Sequence, residues 1–302
     1  MNSHTLPSLF VSHGSPMMAL EPGAAGAFLS TLGPSIDAAF GRPRAVLVVS
    51  AHSLTREPAL LAAPRHDTVH DFGGFPDALY QLRYDAPGGA DIAPRVAQVV
   101  LDAGLPIHVL PDGGLDHGIW VPLRYAYPHA DVPVLPLAFP PNWSPKQLFE
   151  LGRALAPLRD EGVLVLGSGS ITHNLRLVFS RRAHDRTAAD DEPEMPESAA
   201  FRNWFAARSA AQDHDALLSY RTSAPHAALM HPSDEHLLPW FVAAGAGHEG
   251  PALRVHDSVQ AGCLGMDAYA FGNAAGRLQR ALAPNAAARN DDADQKRSVG
   301  GR

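Results

Sequence analysis

The chain has 302 residues, 46% hydrophobic and 18% charged, which supports a sizeable core and excludes a globally disordered protein. A formal net charge of -7, with Arg181-Arg182 as the densest basic pair, argues against a nucleic-acid partner. No apolar run reaches the ~18 residues of a membrane span, and MNSHTLPSLFVSHG lacks the regions of a signal peptide, so a cytoplasmic protein with no membrane association is expected.

Residues 9–11 form the first apolar, strand-like run, which ends on Ser12 and delivers His13 into Gly14-Ser15-Pro16. Helical character follows over 26–40. A second apolar run at 45–49 places His52 just beyond its end. Residues 92–103 read as a helix, 107–110 as a strand, and Asp116-His117-Gly118 as a glycine-flanked loop before the apolar segment IWVPLRYAYP. A strand at 132–137, a helix at 145–159 and a strand at 163–166 come next, the last running into GSGSITH with His173. Residues 183–199 are acidic with two prolines and read as a surface loop or insertion. Residues 198–220 read as a helical pair with Trp204, Phe205, Leu217 and Leu218 on apolar faces. In HPSDEHLLPWFVAAG, Pro232-Ser233 and two acidic residues signal a helix start, placing His236 in a first helical turn. From Pro284 onward apolar periodicity is lost, and 284–302 is expected to be a disordered tail.

Short buried strands alternating with helices predict an α/β fold, a single domain on a mainly parallel central sheet flanked by helices. Ligands of such sheets bind beyond the carboxyl ends of the strands, where His13, His52 and the GSGSITH segment all fall. Histidines on separate strand ends suit a mononuclear metal centre. Each alone is equally a hydrogen-bonded core or surface residue. His13 and His52 gain weight because both follow a strand in the same way; His231 and His236 beside Asp234 and Glu235, and His173 after its Gly/Ser turn, are further candidates. His117 beside Asp116 fits either loop polarity or a general acid or base near neutral pH. Competing motifs are missing: GSGS is not GxGxxG, Ser15 lacks a GxSxG elbow, and neither HExxH nor a Walker A lysine occurs. The single cysteine, Cys263, excludes an internal disulfide framework and fits a reducing compartment.

The stretches FVSHGSPMMAL, VVSAHSL, HDFGGFPDALYQLRYDAPG, LDHGIWVPL, GSGSITHNL and HPSDEHLLPWFVAAGA occur in one order across residues 8–272. In this the chain resembles the class III extradiol ring-cleavage dioxygenases, in their DODA-type (4,5-DOPA dioxygenase-like) branch. The resemblance implies a catalytic domain over 1–283 that uses O2 to open the ring of a DOPA-like or other small catechol to a muconic semialdehyde. It implies one divalent metal ion held by His13, His52 and His236, with His173 a further ligand or the adjacent acid/base and His117 the second active-site histidine. Related enzymes use two histidines and a glutamate; here His236 stands at the matching position with Glu235 beside it. Fe(II) is expected for activity, and an all-histidine set also suits Zn. His70, Phe72 and Phe75 lie on a loop with two glycines that reads either as a substrate-side loop, its aromatic side chains stacking on a catechol ring, or as a turn with ordinary core aromatics; Tyr80 and Tyr84 are expected to be structural residues. The rival readings are a zinc-dependent hydrolase using the same histidines and a non-catalytic binding protein of the same fold. Oligomeric state is left open, a homo-oligomer included.

Overall fold

The computed structural model describes residues 5–184 and 192–283, apart from the side chains of 181–184. Eight strands build the main sheet: β1 Ser8–Ser12, β2 Ala45–Ser50, β3 Ala59–Leu61, β4 His108–Leu110, β5 Val134–Ala138, β6 Val163–Gly169, β7 Ala252–His256 and β8 Ala268–Phe271. Their order across the sheet is β4-β3-β5-β2-β6-β1-β8-β7. The central four, β5, β2, β6 and β1, are mutually parallel. β3 runs antiparallel to β5, and β8 antiparallel to both β1 and β7. The expected single α/β domain with a mainly parallel sheet is what the chain forms.

The central strands are buried on both faces, as parallel strands covered by crossover helices must be. Leu47, Val49, Val163 and Val165 enter one core, with the helices Ala93–Asp102, Pro145–Leu155 and Leu238–Ala246. Val46, Val48, Leu164 and Leu166 enter the other, with the helices Gly23–Phe40 and His117–Ala126. Period-two alternation therefore feeds two helical layers. Ser144 and Gln147 form a capping box ahead of Pro145 at the first helical position, which sets where that helix starts.

Several sequence expectations are corrected. The segment at 107–110 is a strand, but at the sheet edge, where all three residues of β4 are exposed. The helix expected over 145–159 ends at Leu155, and a 3-10 segment, Ala156–Glu161, begins beside Pro157 and closes on left-handed Gly162. The acidic segment 183–199 is only partly a loop: a helix runs through Leu175–His184, another occupies Pro196–Ala210, and 185–191 lie outside the described residues. The helical pair breaks into Pro196–Ala210, His214–Leu218 and Tyr220–Ser223. The tail expected over 284–302 also lies outside the described residues. Among the described residues, no helix is long and apolar enough to cross a membrane.

Candidate metal centre

Five histidines meet above the carboxyl ends of β1, β2 and β6. His13 follows β1 directly, its N–H bonded to the Gly169 carbonyl at 3.0 Å, so it is anchored to the neighbouring strand end. Gly14 then adopts φ +62, and a Cβ there would come within 2.8 Å of Met266. Ser15 is turn chemistry: its hydroxyl accepts the Met17 N–H and starts a short 3-10 segment, Pro16–Ala19. His52 lies two residues past β2, and its backbone N–H donates to Ser50 Oγ.

His236 lies in a turn, two residues before the helix Leu238–Ala246, rather than in its first turn. Its carbonyl accepts the Ser170 N–H at 2.8 Å, which ties this turn to the end of β6. There the backbones lie so close that a Cβ on Gly169 would overlap the His236 carbonyl, and one on Gly167 that of Pro239. This is the local reason for the glycines in GSGS. Gly169→Ala is expected to displace His236 and cost about 1–3 kcal/mol of stability, read as a lowered Tm together with lower metal retention.

His117 is the first residue of the helix His117–Ala126, not part of a loop. Its ring Nδ1 lies 2.9 Å from one Asp71 carboxylate oxygen, and its backbone N–H donates to the other at 2.9 Å. Asp116 is the N-cap residue, but its side chain does not cap the helix; it accepts from Ser50 Oγ at 2.7 Å and Ser53 Oγ at 2.6 Å. His173 stacks on His236, with ring centroids 3.5 Å apart and planes 8° from parallel.

The ring nitrogens then face one another. Nε2 of His13 and Nε2 of His52 are 3.1 Å apart, and the His52 and His117 centroids 4.1 Å apart. Ligand atoms of His13, His52 and His117 lie within 4.8 Å of one another, as do those of His173, Glu235 and His236. The His236 ring centroid is 5.4 Å from that of His13 and 5.0 Å from that of His52, so the two groups adjoin. The outer nitrogens are held from behind: His13 Nδ1 lies 3.0 Å from Ser168 Oγ and His236 Nδ1 lies 3.1 Å from Glu235.

Burial, with the neighbouring imidazoles adding to it, pushes His13 well below its ordinary pKa, His52 down to about 3 and His173 down to about 2. Burial also lowers His236, against the pull of Glu235. Hydrogen bonding from His236 brings Glu235 down to about 2. Burial alone would raise Asp71, but its bonds from His117 outweigh this and hold it below the usual carboxylate range. His13, His52, His173 and His236 are therefore neutral near pH 7, with lone pairs free to coordinate. In the metal-free protein, unfolded histidines take up protons near pH ~6.5 while these folded ones do not. The unfolded state then binds more protons, and stability is lost as pH falls below ~6.5, by up to about 1.4 kcal/mol per pH unit for each such histidine. The Tm of metal-free protein is expected to fall between pH 7.5 and 5.5; a flat profile would contradict the burial of these groups.

A cavity of about 570 Å³ opens over the cluster and is lined by His13, His52, His117, His173 and His236 together with Phe72 and Phe75. Its volume suits a small-molecule ligand. His70 is not in its wall: its Nε2 meets the Leu82 carbonyl at 3.1 Å, and its ring packs among Phe72, Tyr80 and Trp120. His70 thus supports the loop from behind instead of facing a substrate. Tyr84 is structural, donating to the Tyr127 carbonyl, and the Tyr80 hydroxyl accepts the Phe75 N–H at 3.4 Å. His231 is buried against the Ile171 carbonyl at 2.8 Å, outside the cavity wall.

Residues 7–273 match the family described as the catalytic LigB subunit of aromatic ring-opening dioxygenase. The chain belongs to the LigB family. It is similar to a protein of Beta vulgaris named 4,5-DOPA dioxygenase extradiol, 37% identical over 267 residues, 87% of this chain and 96% of that protein. A protein of the same name from Escherichia coli K12 is 35% identical over 272 residues, 88% of this chain and 94% of the relative. The fold is similar to the crystal structure of an uncharacterized Escherichia coli K12 protein, with a TM-score of 0.70 and 29% identity over 88% of this chain and 100% of that one. LigB dioxygenases are metal-dependent, and the donor set in this LigB-family chain fits an ion: neutral imidazoles, several steadied from behind, with nitrogens facing each other at distances that leave lone pairs opposed.

Proposed function

We propose that this chain is a metal-dependent extradiol dioxygenase that opens the ring of a catechol with O2 to a muconic semialdehyde. The observation that carries the reading is the convergence of five histidines, in a LigB-family chain, at the floor of an aromatic-walled cavity. His13, His52 and His236 would hold the ion, each with a nitrogen available on the cluster side. Fe(II) is the metal expected for activity, and it supplies the electronic link between the diol and dioxygen.

The chain's own residues do the rest. His117 takes a proton from a catechol hydroxyl at Nε2, since its Nδ1 is engaged by Asp71. The Asp71 carboxylate fixes the ring and stabilises the imidazolium that forms. His173, stacked on His236 and lining the same cavity, is a second neutral imidazole able to accept a proton, and the proton taken up by His117 is the one available for return. Phe72 and Phe75 offer an aromatic wall for the ring to pack against, and exclude water from it.

The test is to load the protein with Fe(II) under anaerobic conditions, add a panel of catechols including L-DOPA, admit O2, and follow oxygen uptake and a yellow product. Uptake matched to product is expected. No uptake with any catechol, at confirmed iron occupancy, would contradict the reading. Turnover with Zn and without oxygen would favour a hydrolase using the same histidines.

A further inference from the structure

The cavity above the histidines is walled by imidazoles, small residues and apolar side chains, with Gln260 among them. Among the described residues, its lining includes no Lys, Arg, Asp or Glu. Its other polar side chains are Ser15, whose Oγ accepts the Met17 N–H, Ser170, whose Oγ donates to the Thr172 carbonyl at 2.8 Å, and Gln260, whose buried Oε1 has no partner. The floor is buried imidazole, whereas the outer part is apolar. Leu175 and Phe179, on the helix Leu175–His184, line the cavity while remaining 44% and 63% exposed. Neither belongs to a buried core cluster. Two large exposed apolar side chains at the mouth of a ligand cavity point to a ligand that covers them.

We propose that the substrate is an uncharged catechol bearing an apolar substituent of several carbons, rather than an amino-acid or carboxylate-bearing catechol. This inference rests on the ring-cleavage reading of the same site. Leu175 and Phe179 share one cavity wall with the five histidines, so that wall is open to a substituent of a diol seated on them. A carboxylate carried there leaves water for a mouth whose described residues offer no cation, which is unfavourable. An alkyl chain loses only apolar contact with water, and each buried methylene improves binding roughly fourfold. The volume of about 570 Å³ leaves room for such a chain beyond the ring.

The test is calorimetric titration of the Fe(II)-loaded protein without O2, using 4-methyl-, 4-propyl- and 4-pentylcatechol, 3,4-dihydroxyphenylacetate and L-DOPA. Kd is expected to fall roughly fourfold per methylene from methyl to propyl, with both charged catechols at least about tenfold weaker than 4-propylcatechol. Phe179→Arg, at an exposed position, should narrow the gap between 4-propylcatechol and 3,4-dihydroxyphenylacetate by about tenfold. Charged catechols binding as tightly as 4-propylcatechol, affinity independent of chain length, or no binding of any catechol would each overturn the proposal. Admitting O2 afterwards separates the two readings: tight alkylcatechol binding without oxygen uptake removes the dioxygenase reading and leaves the ligand class standing.

Discussion

His13→Asn is expected to abolish oxygen uptake and metal retention while leaving the fold in place. His13 sits at the centre of the cluster, with its ring 5.0 Å from His52 and 5.4 Å from both His117 and His236. Its backbone is held independently of the ring, through the Gly169 carbonyl and the turn at Gly14. Asparagine retains a polar partner for Ser168 but removes the nitrogen that faces His52. Metal analysis after anaerobic loading, with the Tm as a folding control, checks this. A folded His13→Asn protein that holds one iron and consumes oxygen at the wild-type rate would exclude His13 as a ligand.

The second large effect concerns the pair formed by His117 and Asp71. His117→Gln should lower kcat by ~10²–10⁴, the usual worth of a positioned acid or base. Asp71→Asn should lower kcat less, by about 10-fold to 100-fold, because the imidazole remains but loses the carboxylate charge and one of the two acceptor oxygens that meet His117. Both should change KM little. The double variant should be no slower than His117→Gln alone, since Asp71 acts through that ring. Additive losses would mean that Asp71 has a separate role, such as a direct hold on His52, whose Nδ1 lies 3.8 Å from the same carboxylate oxygen.

The histidines that were legible in the sequence are those whose placement is local. His13 and His52 each follow a run of buried strand residues, so the strand end is visible within ten residues of the ligand candidate. His173 follows β6 for the same reason. Asp71 is not legible in the sequence, because its role is defined only by His117, 46 residues later. An acid in a glycine-containing loop carries no local mark of such a partner. His70 misled in the opposite way: it neighbours the right residues in sequence, yet packs behind Phe72 and bonds the Leu82 carbonyl.

The fold shows the same division. The parallel centre was readable from continuous apolar runs, which a strand covered on both faces requires. β3, β7 and β8 carry no such signal, being only three to five residues long, with β7 half-buried throughout. β4 was read as buried from its apolar letters, although edge position leaves it exposed. Helix boundaries moved wherever a tertiary contact decided them: His236 stops short of its helix because its carbonyl is taken by Ser170. Glycines at 167 and 169, which resemble turn punctuation, instead let that helix and turn pack directly on β6.

The most direct measurement is isotope labelling of the product formed by Fe(II)-loaded protein from a catechol under ¹⁸O₂. A ring-opening dioxygenase gives a product carrying two labelled atoms from dioxygen before the aldehyde exchanges with water, with one O2 consumed per ring opened. A product labelled only from H₂¹⁸O, or formed without oxygen consumption, would contradict the account.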